Sequence, residues 1–98
     1  MLTKYEVYQM IQIFEGVREV VAETVGIEEW QVTMESEIIN DLGVDELSLI
    51  EIVMEMEEAH EISLEDMEIN KIKTIKCLVS KIQEKIEEKC KKHLKKII

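Results

Sequence analysis

Residues 40–58 read NDLGVDELSLIEIVMEMEE, and their periodicity sets the architecture of the chain. Gly43 closes a short loop, and Asp45 is a good N-cap for the helix that follows. Glu46 adds negative charge to the first turn, where the helix dipole favours it. At about 100° per residue the apolar side chains fall on two separate stripes. Leu49, Ile52, Val53 and Met56 follow the i, i+3, i+4, i+7 spacing of a core-facing helix. Leu47, Ile50 and Met54 lie more than a quarter-turn away, with Glu46, Glu51, Glu55, Glu57 and Glu58 between and around them. A surface helix needs one buried stripe. The second is either covered by the long loop or the C-terminal tail, or kept for a partner.

On the N-terminal side, Thr3-Lys4-Tyr5-Glu6 fits a capping box and opens a first helix. Val7, Met10, Ile11, Phe14, Val17, Val21 and Val25 recur along it at helical spacing, and Gly26 can end it. Residues 27–44 lack sustained periodicity. They read as a long loop with room for a short helical turn, pinned to the core by Ile27, Trp30, Val32 and Ile38. On the C-terminal side, His60-Glu61-Ile62 ends the central helix. Ser63-Leu64-Glu65-Asp66 caps a short third helix with Leu64, Met67 and Ile69 facing inward. A last helix follows Thr74. Its stripe of Ile75, Leu78, Val79, Ile82 and Ile86 continues through Cys90, His93, Leu94 and Ile97. There is no alternating run, Asn-Gly hairpin or clear repeat. The pattern predicts an all-α fold, a small antiparallel bundle of three main helices plus one short helix. A long loop joins the first two.

The composition agrees. The 98 residues include no proline and three glycines, with 35% charged and 46% hydrophobic side chains. That suits one small helical domain and is too apolar for a disordered chain. No apolar run approaches the ~20 residues of a membrane span, and Met1 onward lacks the layout of a signal peptide, so a cytoplasmic protein is expected. Cys77 and Cys90 are too few for a disulfide framework.

The net charge of −10 is unevenly spread. Residues 1–70 hold 19 of the 22 acidic side chains against Lys4 and Arg18, while residues 71–98 hold ten lysines against Glu84, Glu87 and Glu88. An acidic body repels nucleic acid. It attracts basic protein surfaces by electrostatic steering.

The central stretch resembles the acyl carrier protein family. The family signature Asp-Leu-Gly-x-Asp-Ser-Leu stands here as Asp41-Leu42-Gly43-Val44-Asp45-Glu46-Leu47, followed by Ile50-Glu51-Ile52-Val53-Met54 in place of a Val-Glu-Leu-Val-Met type run. Weaker marks are Glu61-Ile62-Ser63 and Lys71-Ile72-Lys73-Thr74-Ile75, the latter similar to the family's entry to its last helix. The likeness covers roughly residues 7–84. It divides the chain into an acyl-carrier-like bundle, 1–84, and a basic amphipathic extension of the last helix, 85–98.

The resemblance implies the four-helix carrier fold, 4′-phosphopantetheine as the group carried, and partners among fatty acid or polyketide enzymes and a phosphopantetheinyl transferase. It implies a carrier rather than an enzyme, and a monomer is expected. The positions matching Leu47, Ile50, Glu51 and Met54 would dock partner enzymes, with Glu51 and Glu57 pairing to their Lys and Arg. One residue departs from the signature: Glu46 stands where the family has its attachment serine, next to Asp45. A carboxylate cannot form the serine phosphodiester. Ser48 is the nearest hydroxyl, but two residues on it points ~200° around the helix. Ser36, Ser63 and Ser80 lie in the wrong context.

Other groupings carry less. Asn40, Asp41, Asp45 and Glu46 could attract Ca²⁺ or Mg²⁺, but their spacing does not match an EF-hand, and they read as a solvated helix start. Cys90-Lys91-Lys92-His93 offers two ligands where zinc wants four, or three with an open site. No metal site is expected. His60 reads as a helix-end residue, and no nucleophile–base–orienter set can be assembled. The tail could lie on an acidic membrane, contact a second protein, fold against the acidic body or extend the last helix into solvent. Three functions are therefore open: an acyl carrier in the broad sense, a carrier-like interaction or scaffold module that never bears a thioester, and a carrier whose serine was replaced by glutamate in the laboratory.

Overall fold

The computed structural model describes residues 3–97, with side chains throughout except Asp66, Met67 and residues 91–97. Four α-helices follow in order: α1 (Lys4–Val25), α2 (Glu46–His60), α3 (Asp66–Ile69) and α4 (Ile75–Ile97). A single 3₁₀ turn, Glu29–Gln31, interrupts the loop between α1 and α2. The described residues contain no strand, only one isolated bridge between Glu37 and Thr74.

Each helix starts and stops for a local reason. Thr3 Oγ1 accepts the Glu6 N–H at 3.1 Å. The Glu6 carboxylate takes the Thr3 hydroxyl rather than its backbone N–H, so only half of the expected capping box forms. α1 ends at Gly26, whose φ of 74° suits glycine and whose N–H reaches Ala22 O. Asp45 caps α2 through the Ser48 N–H at 2.7 Å. α2 ends at Glu61, a non-glycine residue at φ 54°, and Glu57 Oε2 accepts the Leu64 N–H just beyond at 2.7 Å. Within the expected cap of α3 the working residue is Glu65: its carbonyl accepts from Glu68 and Ile69, and its own N–H goes back to Glu68 Oε2. Ser63 is exposed.

The core combines Ile13, Val17, Val21 and Ala22 of α1 with Leu49, Ile52, Val53 and Met56 of α2 and Ile75, Leu78, Val79 and Ile82 of α4. Val32, Ile38, Val44, Leu64 and Ile72 fill it from the connections. Two apolar positions expected on the inner face of α1 are outside: Val7 is 42% and Ile11 50% exposed. Ile13 takes the inner place. On the helix wheel Ile13 lies ~40° from the fully buried Val17, whereas Ile11 lies ~120° away. Only the row facing the bundle is covered.

The α1–α2 loop is built into the fold by backbone bonds. Ile38 N–H donates to Lys73 O, and the Ile75 and Lys76 N–H groups donate to Ser36 O and Met34 O. With Thr74 Oγ1 accepting the Cys77 N–H, the first amides of α4 find partners that an isolated helix would lack. Arg18 anchors the loop's other end. Its Nε donates to Val32 O at 3.1 Å, and its guanidinium lies 4.4 Å from the centre of the Phe14 ring. Val32 and Ile38 are buried as expected and Ile27 partly so, but Trp30 is 73% exposed and does not pin the loop. The core space beside the 3₁₀ turn is taken by Val32, two residues on.

α1 and α4 run side by side, with buried Gln83 donating to Glu6 O at 2.9 Å. Lys85 and Lys81 bind Glu68 at 3.2 and 3.9 Å and tie α3 to α4. Ile86 is half-buried, but Cys90 is exposed, so the apolar stripe does not continue inward as far as Cys90. With Gln83 already level with Glu6, little of α1 remains to cover it. Met67, His93, Leu94 and Ile97 lie outside the residues whose side chains are described.

Candidate functional site

Packing separates the two stripes of α2. Leu49, Ile52, Val53 and Met56 are 0–5% exposed, while Leu47 is 67%, Met54 59% and Ile50 43% exposed. None of the three is buried, although the loop's Ile39 borders Ile50 across an open cleft. Glu51 is exposed beside it. Glu57 is half-buried, and its Oε2 accepts the Leu64 N–H. Glu55 and Glu58 are exposed as well, Glu58 one helical turn after Met54.

Glu46 is the first residue of α2 and is exposed. The Ser48 backbone N–H, and secondarily its hydroxyl, hold the Asp45 carboxyl below the usual carboxylate range. Ser48 is half-buried, with its backbone N–H on the Asp45 carboxylate. Beside Glu46 opens a cleft of about 410 Å³ lined by Ile39, Leu49, Ile50, Ile69, Asn70 and Ile72. Three separate stretches of chain build this cleft, so no local pattern announced it.

The neighbouring loop acids bond within the loop. Asp41 Oδ2 accepts the Glu37 N–H at 2.8 Å, and Asn40 reaches Glu37 Oε2 at 3.5 Å. Among the described residues no three His, Cys, Asp or Glu side chains gather as a metal site. His60 is half-buried, and burial lowers its pKa. Hydrogen bonds from Thr74 lower the pKa of the exposed Cys77 thiol. No described helix is long and apolar enough to cross a membrane.

Residues 15–88 match the family model described as "Phosphopantetheine attachment site". The chain belongs to the acyl carrier protein family. It is 37% identical to the acyl carrier protein of Thermotoga maritima over 75 residues, 76% of this chain and 93% of the relative. It is 36% identical to that of Clostridium acetobutylicum over 76 residues, 78% of this chain and 99% of the relative. With the acyl carrier protein of Campylobacter concisus it shares 41% identity over 71 residues, 72% and 92% of the two chains.

Acyl carrier proteins carry rather than catalyse, and 4′-phosphopantetheine is the group the family attaches. Position 46 offers a carboxylate with no hydroxyl, and Ser48, the nearest hydroxyl in sequence, lies ~200° around the helix.

Proposed function

We propose that this chain is a docking module of the acyl carrier protein family that meets acyl-processing enzymes through α2 and bears no thioester. The observation that carries the reading is the exposure of Leu47, Ile50 and Met54 on a helix whose exposed carboxylates include Glu51 and Glu58. Apolar side chains at the centre of such a patch supply affinity, and the acidic rim steers basic enzyme surfaces onto it. Glu46 stands at the attachment position. Its charge resembles a phosphorylated side chain, but it supplies neither arm nor thiol. The partners are enzymes of fatty acid or polyketide type, in the cytoplasm, and the chain itself catalyses no reaction.

A serine-substituted carrier is the second reading. It is favoured by the exposure of position 46 at the start of α2. Intact mass after incubation with a phosphopantetheinyl transferase and coenzyme A, for the chain and for Glu46→Ser, tests the reading. The chain as it stands is expected to keep its mass, and a gain of one phosphopantetheine mapped to Ser48 would overturn this reading. Glu46→Ser should load if the transferase still recognises α2. A folded Glu46→Ser chain that stays unloaded would instead mean a module that has left the carrier role altogether.

A further inference from the structure

Trp30, the chain's only tryptophan, is 73% exposed on a turn that is firmly held. The Gln31 side chain accepts the Glu28 N–H at 2.9 Å, Gln31 and Val32 N–H groups close the turn on Glu28 O and Glu29 O, and Arg18 fixes Val32. The indole is therefore presented to solvent by a rigid scaffold, and no core position is left for it. It borders a cleft of about 410 Å³ lined also by Glu19, Glu23, Glu28, Glu29 and Ile27, with Ala22 at its floor. All four glutamates are exposed, and none joins an ion pair among the described residues. The one cation close in sequence, Arg18, is engaged by Phe14 and Val32.

We infer that this surface docks an arginine side chain of a partner protein. Charge complementarity names the occupant: an aromatic face rimmed by unpaired carboxylates attracts a cation and repels acidic or phosphorylated ligands. Arginine fits better than lysine because a planar guanidinium can lie on the indole while its N–H groups bond a carboxylate at the edge. The surface shares no residue with the exposed face of α2, and it does not depend on whether position 46 is loaded.

The sole tryptophan makes the test direct. The full-length chain at low salt is titrated with tetra-arginine and tetra-lysine peptides, following Trp30 emission and backbone amide shifts. The expected result is a saturable emission change, shifts concentrated between Glu19 and Gln31, and an affinity about threefold higher for the arginine peptide. Trp30→Ala, followed by the amide shifts, should weaken binding about fivefold. The pair Glu23→Gln and Glu28→Gln should weaken it at least as much, while Ile50→Ala leaves it unchanged. Shifts concentrated on α2, equal affinity for both peptides, or no saturable change would each overturn the assignment.

Discussion

The two apolar stripes of α2 are made of the same residue types and lie on the same fifteen-residue helix, yet one is sealed and the other open. Leu49, Ile52, Val53 and Met56 meet α1, α4 and the loop's Ile38 and Val44 in one core. Leu47, Ile50 and Met54 stay 43–67% exposed: the loop, bonded to the start of α4, does not bury them, and its Ile39 shares only an open cleft with Ile50. Hydrophobicity alone does not decide which residues hold a fold together. The same methylene groups stabilise the native state on one face and remain available to a partner on the other.

Substitution breaks the comparison most sharply. Ile52→Ala, at a site 1% exposed, should cost about 2–5 kcal/mol in urea unfolding, since it opens a cavity in a packed core. Met54→Ala and Ile50→Ala should stay within about 0.5 kcal/mol, as ordinary surface changes do. An Ile50→Ala loss as large as that of Ile52→Ala would mean that the second stripe is core. In binding the order should invert: Ile50→Ala should weaken a docking enzyme by more than about 1 kcal/mol. Glu51→Lys should act chiefly on the association rate.

A weaker effect comes from charge. Residues 35–68 carry carboxylates without a single lysine or arginine between Arg18 and Lys71, and the exposed face of α2 sits among them. Raising salt from low ionic strength, or adding Mg²⁺, should lift the melting temperature by a few degrees, on the order of 1 kcal/mol, through screening. A melting temperature flat across that series would mean that the lysines of α4 already balance the acidic body.

The smallest effect concerns the end of α2. Burial lowers the pKa of His60, so the unfolded chain takes up its proton first as pH falls through about 6.5. Stability is thus complete above that value and declines on acidification toward pH 5. The groups around the groove at His60 are Glu61, Glu88, Lys85 and Lys89, of which the carboxylates oppose the shift and the lysines reinforce it. In His60→Gln the slope of stability between pH 7 and 5 should flatten. An unchanged slope would place the acid sensitivity in the carboxylates instead.

The helices, their caps at Thr3, Asp45 and Gly26, and the buried stripe of α2 were legible from residues alone, since each depends on partners within about one turn of chain. Other features required the assembled chain. Ile13 rather than Ile11 faces inward because of where α4 and the loop lie against α1. Trp30 stands outside because Val32 occupies the core beside it. The cleft next to Glu46 exists only where Ile39, Ile50 and Ile72, from three separate stretches, come together. Local hydrogen bonding and periodicity act over a few residues and can be read from order. Which apolar row is covered is a contest among distant segments for the same space, and only tertiary packing settles it.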